Sequence, residues 1–535
     1  MRVLLHPRAT TPGKLQVWLG IWGARRRPEL TWRLDGAPAA PQDLRPLKQA
    51  WLPTTIATSN PDGLLPRSWT GLYEFDAAPG VAHRVSVDVH DVVEPNKAIT
   101  TKDLTTSTLP EALSPVGPDA GPEDGWFNIL LVSCFHQSEA SAGWGERLER
   151  EWLGKPAHRP HVTLFMGDQV YLDLPTLKNF KDDACWLAEK FERDYLNNWF
   201  DGDGFGRLLG MAPAVFVPDD HEFWNNAPHK SPFIGNSHSE EGRQRWIAAA
   251  SALLEAFQAP HGGTVRPGSA PDESPLGRTV RIDISPLSIL LADGRSLRDS
   301  SLRWTLPGNE GGGPDARGEV ERWVRDVAID SSSIGLFVSG QSLFRDPVSG
   351  FAGKTADWEL PNYGDYKTTL TTLDTAARAG APLFAITGDV HWGRVTVAGS
   401  GAVRGQWVEV IVSPASLVTT VGADTWNNVT DFLGGIFGSR DPWPRHPKPE
   451  KPPALFGKGI LPTALPTTMA HAQRGNHVAL LSFRLRSGVP TPRIECRIQY
   501  ISLHDDRNVR TTGDRVIGPF AVNKPVGVSL PELTP

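Results

Sequence analysis

Apolar positions group along this chain in two ways. Through about residue 118, short stretches alternate apolar and polar residues, as at 15–22, 30–34 and 83–89, with Pro, Gly and Asp clusters between them. Alternation turns one face inward and the other outward, so short strands between turns predict a small all-β sandwich. Trp18, Trp22, Trp32, Trp51 and Trp69 fall in this part and either fill its core or form an aromatic patch on its surface. Residues 109–125, rich in Pro, Gly and acids, read as a linker.

From Trp126 the texture changes. The runs 127–132 (FNILLV), 161–166 (HVTLFM), 214–217 (AVFV) and 383–387 (LFAIT) are short and mostly apolar, and each ends directly in polar residues. Such runs predict strands buried on both faces. Between them, residues 178–200 carry Phe180, Ala184, Leu187, Phe191, Tyr195 and Trp199 at helical spacing. Ser237-His-Ser-Glu240 reads as a capping box opening a helix that runs to about Gln258. Strands alternating with helices predict an α/β layered domain.

Beyond about residue 424 the pattern is irregular. Residues 441–466 are proline-rich and predict a long surface loop, while 477–486 and 493–503 alternate as a closing β-hairpin. Three segments follow: 1–118, an N-terminal β-sandwich; 119–423, a catalytic α/β domain; and 424–535, a C-terminal extension.

Length and composition narrow the classes. At 535 residues the chain exceeds what a single core comfortably serves. Lys and Arg number 54 against 60 Asp and Glu, a net charge of -6, which leaves no basic footprint for nucleic acid. No stretch approaches the ~20 consecutive apolar residues of a membrane span. Cys134, Cys185 and Cys496 are widely spaced, which supports neither a disulfide framework nor a thiolate zinc site. The first residues lack a secretory pattern, and a cytoplasmic setting is the expectation.

The chemistry sits where the buried runs end. They lead into Ser133-Cys134-Phe-His136, Gly167-Asp168-Gln-Val-Tyr171-Leu-Asp173, Pro218-Asp219-Asp220-His221-Glu222 and Gly388-Asp389-Val-His391-Trp-Gly393. In α/β sheets ligands bind outside the carboxyl ends of strands, so four metal-competent endings predict one converging site. Carboxylates with His, Cys and Tyr match the donors of a dinuclear hydrolase, in which two cations ~3.5–4 Å apart clamp a phosphoryl group and activate water. Thiolate and phenolate favour a redox-type metal such as iron at one position; carboxylates leave the other to Ca, Mn, Zn or Mg.

These motifs, in this order, resemble the PhoD-like (alkaline phosphatase D) phosphatases of the calcineurin-like metallophosphoesterase superfamily. Leu290-Leu-Ala-Asp293-Gly-Arg295-Ser-Leu-Arg298 is also similar to that family's Asp-Thr-Arg-x-x-Arg stretch. The resemblance spans about residues 126–420. It implies a four-layer α/β/β/α sandwich preceded by a small all-β domain, and a dinuclear site holding Fe3+ plus a divalent cation. It implies metal ligation by Cys134, Asp168 (the bridging carboxylate), Tyr171, Asp220, Asp389 and His391, with His221 approaching the phosphate or leaving group. Arg295 is either a clamp for a phosphate oxygen or one half of a salt bridge. The implied reaction is hydrolysis of a small-molecule phosphate ester, mono- or diester, by a hydroxide generated on the metals.

Other residues near the motifs carry weaker expectations. His136 is either a ligand or a supporting group, and Asp173 and Asp219 read as structural carboxylates. Gly475-Asn476-His477 spells the superfamily's third motif but falls after Gly388-Asp-Val-His391, out of order, and is read as a turn. No counterpart of the superfamily's isolated histidine stands out among His229, His238 and His261. Trp224 and Trp392 are candidates to wall the pocket. The competing reading is a non-catalytic binding or structural protein that keeps the fold.

Overall fold

The computed structural model describes residues 1–56, 64–90, 100–136, 143–175, 180–232, 234–258, 276–308, 314–330, 333–344, 360–398, 407–416, 467–473, 475–487, 493–503 and 526–528. The proline-rich 441–466 segment and His261 lie outside them. The N-terminal strands are β1 (Arg2–Arg8), β2 (Lys14–Trp22), β3 (Glu29–Leu34), β4 (Ala37–Ala39), β5 (Gln42–Gln49), β6 (Ser68–Asp76), β7 (Ala82–His90) and β8 (Thr100–Ser107). After the two-residue β9 (Pro115–Val116) come β10 (Phe127–Val132), β11 (Val162–Met166) and β12 (Ala214–Val217). Next are β13 (Thr279–Ile284), β14 (Leu287–Ala292), β15 (Ile334–Val338), β16 (Leu383–Thr387), β17 (Gly393–Ala398) and β18 (Trp407–Ile411). The last are β19 (Thr467–Gln473), β20 (His477–Arg486), β21 (Arg493–Ser502) and β22 (Val526–Val528).

The helices are α1 (Trp144–Leu148), α2 (Ala184–Trp199), α3 (Phe205–Met211), α4 (Glu240–Phe257), α5 (Ala316–Ile329) and α6 (Tyr366–Ala379). The cap of α4 is Ser239, whose side chain accepts from Gly242 N–H, rather than the expected Ser237. Ser237 closes the preceding turn instead, through Ser231 N–H and Ile234 O. With two serines two residues apart, only backbone geometry decides which one caps.

Two large sheets face each other. The first runs β22-β21-β20-β10-β11-β12-β1-β2-β6-β5, the second β13-β14-β15-β16-β18-β17-β19. Strands β10, β11 and β12 are mutually parallel, as are β14, β15, β16 and β18. Alternate residues divide the core. Ile129, Leu131, Leu164 and Val215 point at Ile289, Leu336, Ile386 and Val410 of the second sheet. Leu130, Phe165 and Phe216 point the other way, onto Phe191, Tyr195 and Trp246 of α2 and α4. On the far side of the second sheet, Leu290, Phe337 and Leu383 pack on Trp323 of α5 and Leu370 of α6. Strands covered on both faces need few polar positions, and the buried Asn128 of β10 is bonded to Ala157 O, Arg159 O and Ser482 Oγ.

The N-terminal segment is less separate than its pattern suggests. Its second sheet, β4-β3-β7-β8, packs on one face of β1, β2, β5 and β6 through Val17, Leu19, Trp32, Tyr73, Val85 and Val87. Strand β1 also lies parallel to β12, with Arg8 opposite Ala214, so this sheet is continuous with the first large sheet. Trp18, Trp32 and Trp51 are buried, and Trp22 and Trp69 are partly so, which places these rings in the core. The C-terminal hairpin likewise completes the sheet, with β20 antiparallel to β10. Among the described residues no helix is long and apolar enough to cross a membrane.

Candidate metal centre

Every strand that ends in a motif delivers it to the same place. Cys134 lies two residues beyond β10 and Asp168 two beyond β11; Asp219 and Asp220 follow β12, and Asp389 and His391 follow β16. The site therefore straddles the carboxyl ends of both sheets, where backbone groups are free and side chains can converge. The loops are tightly held. Cys134, Asp168, Asp389 and His391 have φ of 54°, 58°, 68° and 56°, a left-handed region that costs a non-glycine residue about 1–3 kcal/mol each. A Cβ on Gly388 would collide with Ser133 Oγ and Met166 O, so the closing motif needs glycine there.

Three sets of donors lie within 4.8 Å of one another: Cys134, Asp168 and His391; Asp168, Asp220 and His221; Asp168, Asp219, Asp220 and Asp389. Asp168 belongs to all three, the position a bridging carboxylate requires. Tyr171 Oη lies 3.5 Å from His391 Nε2, beside the first set, and its ring sits 4.3 Å from that of His221. His136 meets Tyr171 edge-on, 5.6 Å between ring centroids, and belongs to none of these sets.

A ring of bonds outside the donors fixes them. Asp173 accepts from His221 Nδ1 at 2.9 Å and from Asn225 N–H at 2.8 Å, which leaves Nε2 as the histidine's remaining ring nitrogen. Asn226 N–H donates to Asp220 Oδ2 at 2.5 Å. The carboxylate of Glu222, fully buried, accepts the amides of Asp168, Gln169 and Asp219 at 2.9, 2.6 and 2.8 Å and ties two motif loops together. Sequence reading gives Glu222 no role, because its partners are backbone amides that no side-chain pattern reveals.

Arg295 departs from the clamp expectation. Its Nε donates to Asp219 Oδ1 at 2.6 Å and its Nη1 to Ala227 O at 2.7 Å, with Nη2 2.6 Å from the same carboxylate oxygen. The pair is enclosed, and Asp219 and Asp220 keep the guanidinium charged against the cost of burial. Asp219, though near the other carboxylates, is matched by this cation. Arg298 is enclosed too, donating to Gly294 O and Gln341 Oε1.

The remaining candidates fall outside the donor sets. His229 Nε2 bonds Tyr363 Oη at 3.0 Å and His238 Nε2 bonds Ser231 O at 3.0 Å. His477 stands at the start of β20, its Nδ1 on Gly475 O at 2.5 Å, packed edge-on to Tyr500, as a turn-and-strand residue would be. Trp224 is buried with Nε1 on His229 O, and Trp392 packs with Val390 and Ile411.

The donor chemistry fits cations. Burial pushes the Asp168 carboxyl well above its usual range, His221 opposing and Asp220, Asp219 and Glu222 adding to the rise. Burial and then Asp168 raise the Cys134 thiol in the same sense, and its Sγ donates to Asp168 Oδ2 at 3.3 Å. In the metal-free protein these protons stand where positive charge is wanted, and a cation would displace them. His221 shows the same excess of anions: burial works against its charged form, yet Asp173, Asp220 and Asp168 raise its pKa well above 6.5.

The fold is similar to those of two solved structures, a PhoD and a plant purple acid phosphatase. A structure described as PhoD superposes with a TM-score of 0.53 at 12% identity, over 92% of this chain and 89% of that one. Purple acid phosphatase PPD1 from yellow lupin (Lupinus luteus) seeds superposes with a TM-score of 0.51 at 9% identity, over 94% of this chain and 72% of that one. By sequence, no family model and no curated protein matches the chain.

Proposed function

We propose that this chain is a metal-dependent phosphoesterase with a dinuclear centre, built into a four-layer α/β/β/α sandwich. The observation that carries the reading is the sharing of Asp168 among three converging sets of donors. Cys134, Asp168, Tyr171 and His391 would hold one ion, and Asp168, Asp220 and Asp389 the other. Thiolate and phenolate at the first position suit Fe3+; carboxylates at the second suit Ca, Mn, Zn or Mg. When bound, the two cations supply a water acidified to near-neutral pKa and positive charge against the phosphoryl oxygens.

The chain's own residues supply the rest. Asp173 fixes the His221 ring and favours its protonated form, so Nε2 carries a proton toward a phosphoryl oxygen or the departing alkoxide. Arg295 acts through Asp219, holding that carboxylate away from the substrate oxygens. Glu222 sets the spacing of the Asp168 and Asp219 loops. The substrate class is a small phosphate ester, with diesters the first choice and monoesters the second.

Elemental analysis of the purified protein, with turnover of p-nitrophenyl phosphate and bis(p-nitrophenyl) phosphate, tests the proposal. The expected result is two metal equivalents and ester hydrolysis, with at least one equivalent and nearly all turnover lost in Asp168→Asn. Unchanged metal content and turnover in that variant would overturn the assignment. No metal after reconstitution would favour the non-catalytic reading.

A further inference from the structure

Cys134 Sγ has partners that metal ligation does not require. Ser413 Oγ lies 3.0 Å from it and donates to it, while accepting the His391 N–H at 3.1 Å. Ser133 Oγ lies 3.2 Å from the same sulfur and accepts the Asp389 N–H at 3.4 Å. A hydroxyl that accepts an amide has its own proton to place elsewhere. For Ser413 the sulfur takes that proton; for Ser133 the sulfur is nearer than the alternative, Gly167 O at 3.5 Å. Ser133, Cys134 and Ser413 are wholly buried, so water does not compete for these bonds.

The two serines come from distant parts of the chain, one after β10 and one after β18. Both reach the loop of Asp389 and His391, whose backbone is left-handed at each of these residues. Two amide-to-hydroxyl-to-sulfur relays therefore connect the closing motif to the first motif. The sulfur's third short contact is Asp168 Oδ2 at 3.3 Å, on the carboxylate common to all the donor sets. The sulfur thus meets two hydroxyls and, through Asp168, the donor sets that would hold an ion.

We propose that Ser413 and Ser133 are positioning residues that hold and tune Cys134 as a thiolate ligand. This rests on the reading of Cys134 as a ligand. A hydroxyl proton on a thiolate draws electron density from it, weakens its donation and stabilises the charge it carries once its own proton has left. The same bonds keep Asp389 and His391 in register with Cys134. Ser413 is the stronger of the two, its bonds to the sulfur and to the amide being shorter than those of Ser133.

Cobalt is a suitable probe, because a thiolate bound to Co2+ gives a charge-transfer absorption band. The full-length protein, freed of metal by chelation, is titrated with Co2+ alone. Wild type is expected to develop the band and Cys134→Ser to lack it. In Ser413→Ala the band is expected at longer wavelength, because a thiolate without its hydrogen bond releases charge more easily. Affinity for Co2+ is expected to fall by roughly 10–100-fold, because losing the bonds that seat Cys134 and His391 outweighs the stronger donation of the freed thiolate. Ser413→Thr, which keeps a hydroxyl, restores both, and Ser133→Ala moves both in the same direction by less.

A Cys134-dependent band that stays in place in Ser413→Ala overturns the tuning role and leaves the metal site standing. An equal loss of affinity in the Ala and Thr variants, with the band unmoved, marks simple packing and also overturns it. Absence of the band from wild type overturns both this inference and the ligand assignment beneath it. Should Ser413→Ala fail to fold by circular dichroism, Ser133→Ala carries the same comparison.

Discussion

Arg295 Nε donates to Asp219 Oδ1 at 2.6 Å, and both side chains are almost wholly withdrawn from solvent. A buried cation and anion are costly to separate, because removing one leaves the other desolvated and uncompensated. Arg295→Met is therefore expected to lower unfolding stability by about 3–5 kcal/mol, measured by urea denaturation of the metal-free protein. Arg295→Met combined with Asp219→Asn should recover much of that loss. A residue acting only on substrate phosphate would lower turnover while leaving the denaturation curve in place, and that outcome would restore the clamp.

Among the described residues Glu222 makes no comparable ion pair. Its carboxylate instead collects three backbone amides and the side-chain amide of Gln258. Glu222→Gln keeps the shape but turns one acceptor into a donor that faces other donors. Expected is a loss on the order of 3 kcal/mol in stability, together with weaker metal retention, because Asp168 and Asp219 lose their common anchor. Metal content by elemental analysis and urea unfolding on the same preparation check it; retention at wild-type levels would show that the loops hold their spacing without Glu222.

How far the sequence reached depended on whether a feature was local. The runs 127–132, 214–217 and 383–387 become strands with those same bounds, because burial on both faces keeps the run itself mostly apolar. Cys134, Asp168, Asp220, His221, Asp389 and His391 were visible as polar residues placed directly at the ends of such runs. Partners across the chain were not visible. Nothing in the alternation of residues 477–486 says that β20 will lie beside β10, nor does Arg295 announce Asp219, 76 residues earlier. Ser413, in Val-Ser-Pro, reads as ordinary loop until the fold sets its hydroxyl against a sulfur 279 residues away. Pattern gives the buried face of a strand and not its neighbour, so the junction of β1 with β12 is not legible in the sequence.

His391 and His477 separate position from motif. Both follow short sequences that look like metal motifs, yet His391 shares a donor set with Cys134 and Asp168, whereas His477 is fixed on Gly475 O and packed against Tyr500. His391→Ala is expected to release one metal equivalent. His477→Ala should keep the full complement while losing stability, since it empties a buried ring position. Elemental analysis of the two variants beside wild type decides between them, and metal loss from His477→Ala would reinstate the out-of-order motif.

The acid limb of stability should depend on His6, far in sequence from the candidate metal ligands. This ring, in β1, stacks on Trp18 at 5.5 Å, and burial, followed by the charge of Arg8, lowers its pKa from 6.5 to about 3. The folded protein therefore keeps His6 neutral while the unfolded chain takes up a proton. Its contribution is fully present above pH 6.5 and is lost as pH falls toward the folded value. At pH 5 the loss amounts to about 2 kcal/mol. His6→Phe preserves the stack and removes the titration, so urea unfolding at pH 7 and pH 5 should show a smaller drop than in wild type, by about that amount. Other buried histidines, including His161 and His477 with pKa values lowered to about 4, titrate in both proteins and cancel in the comparison. An acid loss in His6→Phe equal to that of wild type would mean that His6 is charged, or exposed to water, in the folded protein.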